Sequence, residues 1–117
     1  MNLSEFYETV GGKLDEVKAR LAKEERILKY LNKYTDNTDY EELVGALNSE
    51  DYEAAFRHVH NLKGVAANLG LSNLFEASHV LCEELRPCIK PANDISGMLE
   101  AVKTANEEVK NNIAKLV

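Results

Sequence analysis

The chain has 117 residues, 44% hydrophobic and 29% charged, which is typical of one soluble domain with a modest core. Its net charge of −6 argues against nucleic-acid binding, because such domains ordinarily present a basic face. This length leaves no room for a separate kinase domain, and no GxxxxGK[ST] phosphate loop occurs in the sequence.

The chain carries no signal-like segment and no long apolar run, so we expect a cytoplasmic protein that does not enter a membrane. Cys82 and Cys88 would lie about 9 Å apart along a continuous helix, too far for a disulfide. Pro87 could bend this segment, so the spacing favours reduced cysteines without deciding the point.

Helical periodicity runs through the chain, and no strand-like alternation competes with it. Short connections favour antiparallel packing of neighbouring helices. We expect a single domain over residues 1–117, with a helical extension over 1–23 and a bundle over 24–117. The predicted helices cover residues 4–10, 13–21, 24–35, 39–47, about 52–69, 71–88 and 94–116.

Local signals fix several of these helix ends. Thr38 with Glu41 fits a capping box, and Ser49 with Glu50 and Asp51 can cap and charge the first turn of the helix that carries His60. Gly70 has the character of a C′ glycine that closes this helix. Pro87 and the second proline four residues later mark the end of the following helix.

Apolar residues recur at three- and four-residue intervals, which predicts one buried stripe on each long helix. The stripe of the His60 helix is Tyr52, Ala55, Val59, Leu62, Ala66 and Leu69. The next helix offers Leu71, Leu74, Phe75, Ser78, Leu81, Cys82 and Leu85. Smaller sets come from residues 24–35 and from the last helix: Ile27, Leu28, Leu31, Leu99, Val102, Val109, Ile113 and Leu116.

His60 lies about 130° from the centre of its stripe, which predicts that it faces solvent. Lys63 and Gly64 follow at i+3 and i+4, the two spacings that place side chains next to His60 on a helix surface. A glycine inside a helix costs about 1 kcal/mol relative to alanine, so Gly64 suggests that a bulky partner needs room beside the imidazole. Lys63 would supply positive charge near an anion there. This layout is typical of a histidine that carries a phosphoryl group.

The same residues resemble the signature of histidine-containing phosphotransfer (HPt) domains. The matching run is His60-x-Leu62-Lys63-Gly64-x-Ala66-x-x-Leu69-Gly70. The resemblance extends over roughly residues 24–116, with a family-like Gly11-Gly12 near the start.

The resemblance implies an all-α, HPt-like antiparallel four-helix bundle with additional short helices at its N-terminus. It implies that His60 accepts a phosphoryl group from an aspartyl phosphate on one receiver domain and passes it to another, with Nε2 as the reacting atom. Lys63 would stabilise the phosphoryl charge and Gly64 would keep access open. The partners would be receiver domains of hybrid histidine kinases and response regulators.

No cofactor or metal is expected on this chain, and Mg²⁺ would come with the partner receiver. The chain would be a phosphocarrier without ATP-dependent kinase activity, and a carrier that docks transiently is expected to be a monomer. Five residues around His60 form the predicted docking rim: Phe56, Arg57, Asn61, Ala67 and Asn68. Phe56 fits a docking contact and partial burial under a neighbouring helix equally well.

Two other functions stay open at this point. A helical docking module could bind a receiver or a sensor kinase without being phosphorylated. A metal-binding bundle would need inward-facing Glu-x-x-His or His pairs, and neither His58 nor His79 begins such a pattern. We expect His58 at a helix interface and His79 at the surface or its boundary.

Overall fold

The computed structural model describes residues 1–116, and within them the secondary structure is entirely helical. The seven helices are α1 Leu3–Thr9, α2 Leu14–Leu21, α3 Glu24–Tyr34, α4 Asp39–Asn48, α5 Tyr52–Asn68, α6 Ser72–Leu85 and α7 Ser96–Ile113. The predicted all-α class is confirmed.

The last four helices form a bundle around one apolar interior. α5 packs against α4 and α6, α6 packs against α7, and α7 also contacts α4, which closes the ring. The short connections make sequential helices antiparallel. α3 packs against α2 and α7, and α1 contacts α2 and α7. The predicted four-helix bundle with additional short N-terminal helices is therefore confirmed.

The predicted stripes form the core. On α5, Ala55, Val59, Leu62 and Ala66 are fully buried, and Leu69 just beyond the helix is nearly so. The residues of the predicted stripes that are only partly buried are Leu28, Tyr52, Phe75, Leu99 and Leu116. None of the helices described over residues 1–116 is long and apolar enough to cross a membrane.

The predicted helix ends differ from the observed ends by up to three residues. α6 ends at Leu85 rather than at Cys88. Pro87 offers no backbone N–H, and Cys88 has φ +57°, so the helical hydrogen bonding cannot continue through them. α7 begins at Ser96, whose N–H donates to the Asp94 carboxylate at 2.9 Å.

The capping box predicted at Thr38 and Glu41 is wrong. The Thr38 hydroxyl forms no cap hydrogen bond and donates instead to Glu42 at 3.4 Å, while the Asn37 side chain accepts the Asp39 N–H. A short asparagine side chain competes well for a backbone N–H two residues later.

A capping box does form at α1, where the sequence reading did not place one. The Asn2 side chain accepts the Glu5 N–H at 2.9 Å, and the Glu5 carboxylate accepts the Asn2 N–H. Asp51 caps α5 through the Ala54 N–H at 3.1 Å, whereas Ser49, which was also predicted to take part in this cap, lies at the end of α4. Asn2 and Asp51 each satisfy a backbone N–H that the first turn of its helix leaves unpaired.

Gly70 closes α5 as predicted. Its φ is +64°, the N–H of Leu71 reaches the Ala66 carbonyl at 2.9 Å, and the Gly70 N–H reaches that of Ala67 at 3.4 Å. These are the two hydrogen bonds of a Schellman motif. A Cβ at Gly70 would also collide with the Val17 side chain, so both conformation and space require glycine here.

The N-terminal helices cover the carboxyl end of α5. A helix leaves its last carbonyls without partners inside the helix, and a buried one needs a donor from elsewhere. Three donors from residues 1–23 supply them: Tyr7 Oη to the Leu69 carbonyl at 2.7 Å, Lys13 N to that of Gly70 at 2.9 Å, and Arg20 Nη2 to those of Ala67 and Asn68 at 2.8 and 2.9 Å. Phe6, Tyr7, Val10 and Val17 are buried and join the core.

Candidate functional site

His60 lies at the centre of α5 and its side chain is exposed. Val59, directly before it in the chain, and Leu62, two residues after it, are fully buried. The backbone that carries the imidazole is therefore fixed by the core while the ring faces solvent. The predicted exposure of His60 is confirmed.

The Phe56 ring lies one helical turn before His60 and packs against it. The two ring centroids are 5.6 Å apart, and the planes are tilted by 37°. Phe56 is itself only partly buried, and the Arg86 guanidinium of α6 lies 5.5 Å from its ring centroid. The partial burial under a neighbouring helix, one of the two alternatives for Phe56, is therefore observed, and the docking contact stays a prediction.

Gly64 lies one turn after His60, and the space beside it is open. It is exposed, and a Cβ built there would meet no heavy atom within 4 Å apart from its own helix backbone and chain neighbours. No packing contact within the protein therefore requires glycine at this position. That Gly64 serves access to His60 stays a prediction.

Lys63 on α5 is partly buried. The hydrogen bond from Arg86 lowers the pKa of Glu83, and the positive charges of His79 and Lys63 act in the same direction. The Lys63 ammonium on α5 therefore acts on the Glu83 carboxylate of α6.

The structure places the predicted docking rim along one side of α5. Arg57, Asn61, Ala67 and Asn68 are exposed, and Phe56 is half-buried. Arg20 of α2 reaches this surface through its hydrogen bonds to the Ala67 and Asn68 carbonyls. Nothing in the sequence pattern joins Arg20 to residues 47 and 48 positions away.

α6 contributes a second row of side chains beside the docking rim of α5, and none of these α6 residues was predicted from the sequence as part of the site. The rings of Phe75 and His79 are stacked, with centroids 6.0 Å apart and planes 4° from parallel. Glu83 and Arg86 form a two-point ion pair, with hydrogen bonds of 3.0 Å from Nε and 2.9 Å from Nη2. The i,i+3 spacing of this pair was the one signal in the sequence that could have found it.

His58 lies at the interface of α4 and α5, as predicted. Its Nδ1 is 3.0 Å from an Asp39 oxygen and 3.5 Å from a Glu42 oxygen. One potential metal-ligand atom from each of these three residues lies within 4.8 Å of the other two. Within residues 1–116, this cluster therefore has side chains of the kind that could hold a metal ion. The cluster also fits an ordinary ion pair at the start of α4, where acidic side chains are favourable. That the chain holds no metal stays a prediction.

The comparisons with known proteins identify the bundle. The family model of the Hpt domain matches residues 35–112, which is more than half of the chain and includes α4, α5 and α6 completely with nearly all of α7. No curated protein and no solved structure matches the chain. The chain therefore belongs to the Hpt domain family, whose members are phosphocarriers of phosphorelay signalling rather than kinases.

Proposed function

We propose that this chain carries a phosphoryl group on His60, accepting it from the aspartyl phosphate of one receiver domain and passing it to the aspartate of another. The observation that carries the proposal is an exposed imidazole on the rigid central helix of an Hpt bundle, with open space over Gly64 at i+4. A receiver must bring its phosphorylated aspartate to within bonding distance of the imidazole, and this opening permits that approach.

The transfer is a substitution at phosphorus. The Nε2 lone pair of neutral His60 forms the new N–P bond as the bond from phosphorus to the aspartyl oxygen breaks, and the carboxylate leaves with that electron pair. The Nδ1 proton of the resulting imidazolium passes to solvent. Transfer to the next receiver reverses these steps, with an aspartate oxygen forming the new bond to phosphorus.

Lys63 would stabilise the phosphoryl charge. At 4 Å, opposite unit charges attract by about 4 kcal/mol at an effective dielectric of 20, and by about 1 kcal/mol in water. Mg²⁺ and most of the transition-state stabilisation would come from the receiver, since positioning is what this chain offers. The chain would bind no cofactor of its own and would have no ATP-dependent activity.

The docking rim would contact receivers of hybrid histidine kinases and response regulators, and the carrier would act as a monomer. Phe56 would be the apolar anchor, because aromatic side chains often dominate binding surfaces. Arg57, Asn61, Ala67 and Asn68 would surround it.

The experiment that tests this proposal is mass spectrometry of the protein after it is mixed with receiver domains that a small phosphodonor has phosphorylated on their aspartates. We expect an acid-labile adduct of one phosphoryl group on the wild type and none on His60→Gln, with circular dichroism showing equal folding. His79→Gln is the matched control, because it removes another partly exposed imidazole and should retain the adduct. Binding of receivers with no adduct on the wild type would contradict the proposal and favour a docking module that is not phosphorylated.

A further inference from the structure

The side chains of Glu83, Arg86, Phe56 and His60 form a continuous series of contacts from α6 to the imidazole. Glu83 fixes Arg86 through two hydrogen bonds of 3.0 and 2.9 Å. The guanidinium lies 5.5 Å from the centroid of the Phe56 ring, and that ring is 5.6 Å from the imidazole. We call these four residues the positioning chain.

An exposed side chain on a helix ordinarily samples several rotamers. Substitution at phosphorus requires the attacking nitrogen in line with the leaving oxygen, so every misdirected rotamer of His60 lowers the rate. Phe56 lies on the side of His60 toward the start of α5, which is the direction in which helical side chains lean. A fixed Phe56 ring therefore removes part of the space that the imidazole could otherwise sample.

Phe56 needs support of its own, because it is only partly buried. A guanidinium over an aromatic ring is attracted by the negative charge of its face, and arginine combines this with a planar fork that pairs with a carboxylate at two points. Arg86 does both at once, and the side chains of Arg86 and Glu83 are about half exposed, so packing alone does not hold them in place.

We infer that Arg86, fixed by Glu83, is a positioning residue that holds the Phe56 ring against His60 and so sets the rotamer of the imidazole for phosphoryl transfer. This inference rests on the proposed role of His60 as the phosphoryl acceptor. It gives Arg86 a part in the reaction that acts through Phe56 and requires no contact with the phosphoryl group.

Two measurements on the same variants test it. The first is the χ1 preference of His60 in the free protein, from NMR side-chain couplings and from nuclear Overhauser effects between the Phe56 ring and the imidazole. The second is single-turnover phosphoryl transfer from a receiver that a small phosphodonor has phosphorylated. Varying the receiver concentration gives two separate quantities, the rate at saturation and the concentration at half-saturation.

Arg86→Lys keeps the charge but loses the planar fork, and Glu83→Gln removes the charge that fixes the fork. In both variants we expect rotamer averaging at His60, weaker ring-to-ring effects, and a fall on the order of tenfold in the saturating rate, which is larger than any change in half-saturation that arises from the docking contact of Phe56. Phe56→Leu should lower the saturating rate similarly. The double variant of Arg86→Lys and Phe56→Leu should be no slower than the slower single variant, because both act through one contact series.

Arg26→Met, on the exposed side of α3, is the control for loss of an arginine, and it should leave both measurements at wild-type values. An unchanged His60 rotamer in Arg86→Lys and Glu83→Gln would overturn the inference. A change in half-saturation alone would also overturn it, since Arg86 would then be a docking contact. If the wild type accepts no phosphoryl group, the proposed function fails separately, and the NMR couplings still decide whether the positioning chain holds the ring.

Discussion

At the scale of single residues, the surface around His60 combines an exposed imidazole with neighbours that differ in how far they are buried. Phe56 and Lys63 are partly buried, whereas Gly64 is open to solvent. The positions of Lys63 and Gly64 beside His60 could be predicted from the sequence, because spacing along a helix fixes which side chains are neighbours. Arg86 could not, because its place over Phe56 depends on how α6 packs against α5.

Gly64 permits a prediction that separates stability from access. Gly64→Ala should raise the free energy of unfolding by about 0.5–1 kcal/mol, since alanine is the better helix former and its Cβ meets nothing. Urea denaturation measures this change. In Gly64→Ala, phosphoryl transfer from a phosphorylated receiver should be slower than in the wild type, and in Gly64→Gln it should be slower still.

Gly45 on α4 provides the matched control. It is also inside a helix and open to solvent, so Gly45→Ala should give a similar gain in stability. Transfer should be unchanged in Gly45→Ala. Wild-type transfer by Gly64→Gln would show that Gly64 has no role in access.

The two cysteines should differ in reactivity. Cys82 is fully buried, and burial raises the pKa of its thiol, whereas Cys88 is partly exposed. Because the thiolate is the reactive form, a thiol reagent should modify Cys88 rapidly and Cys82 only after unfolding. Ellman titration of the native protein should count one fast thiol, and titration in denaturant should count two. Two fast thiols in the native protein would contradict the burial of Cys82.

At the scale of helices, α5 shows both the reach and the limit of prediction from sequence. Its apolar stripe and its end at Gly70 follow from local rules, and both are confirmed. Its cap is Asp51, the last of the three residues 49–51 that were predicted to cap and charge this turn. The covering of its carboxyl end by Tyr7, Lys13 and Arg20 does not follow, because the partners lie 47 or more residues apart and no local rule joins them. The capping box predicted at Thr38 is wrong for a different reason. The Asn37 side chain, one residue earlier, accepts the Asp39 N–H at the start of the same helix.

This covering gives residues 1–23 a measurable part in stability. Tyr7→Phe removes the hydroxyl that donates to the Leu69 carbonyl at 2.7 Å and leaves a buried acceptor without this partner. We expect a loss of about 1–2 kcal/mol in the free energy of unfolding by urea, typical of a buried hydrogen bond. Tyr30→Phe is the control, because Tyr30 is 38% exposed and should change stability by less than about 0.5 kcal/mol. Equal effects of the two substitutions would mean that the Leu69 contact contributes nothing.

At the scale of the whole molecule, the fold class and the bundle could be predicted, because helical periodicity and short connections leave few arrangements. The tyrosines that join distant helices could not be assigned to that role from sequence. Tyr7 connects α1 to the end of α5, and Tyr34 on α3 donates to the Asn106 side chain of α7 at 2.6 Å. Both side chains are nearly fully buried, so their ionisation is coupled to unfolding of the protein.

These two tyrosines should make the protein sensitive to alkali. Burial raises the pKa of Tyr7 and of Tyr34 well above the usual value, and the charges of Asp39 and Glu41 raise that of Tyr34 further. An unfolded chain loses these protons near pH 10, so the stabilising contribution is complete below about pH 10 and declines above it.

The expected decline is about 1.4 kcal/mol per pH unit for each tyrosine. Urea denaturation at a series of pH values between 9 and about 11.5 measures the slope. Tyr34→Phe should lower stability at neutral pH but make the slope shallower, because the folded and unfolded states then differ by one proton fewer. An unchanged slope in this variant would show that Tyr34 ionises as readily in the folded protein as in the unfolded chain.

The hydrogen bonds at the two ends of α5 also bear on how partners are chosen. Asp51 fixes its first turn, and the N-terminal helices fix its last carbonyls. The free energy needed to order the helix is therefore supplied when the protein folds, and a docking receiver does not have to provide it. Two receivers with the same complementary surface would bind the same α5 surface, which is already ordered in the free protein. Any difference between their phosphoryl-transfer rates would therefore originate in the receivers themselves.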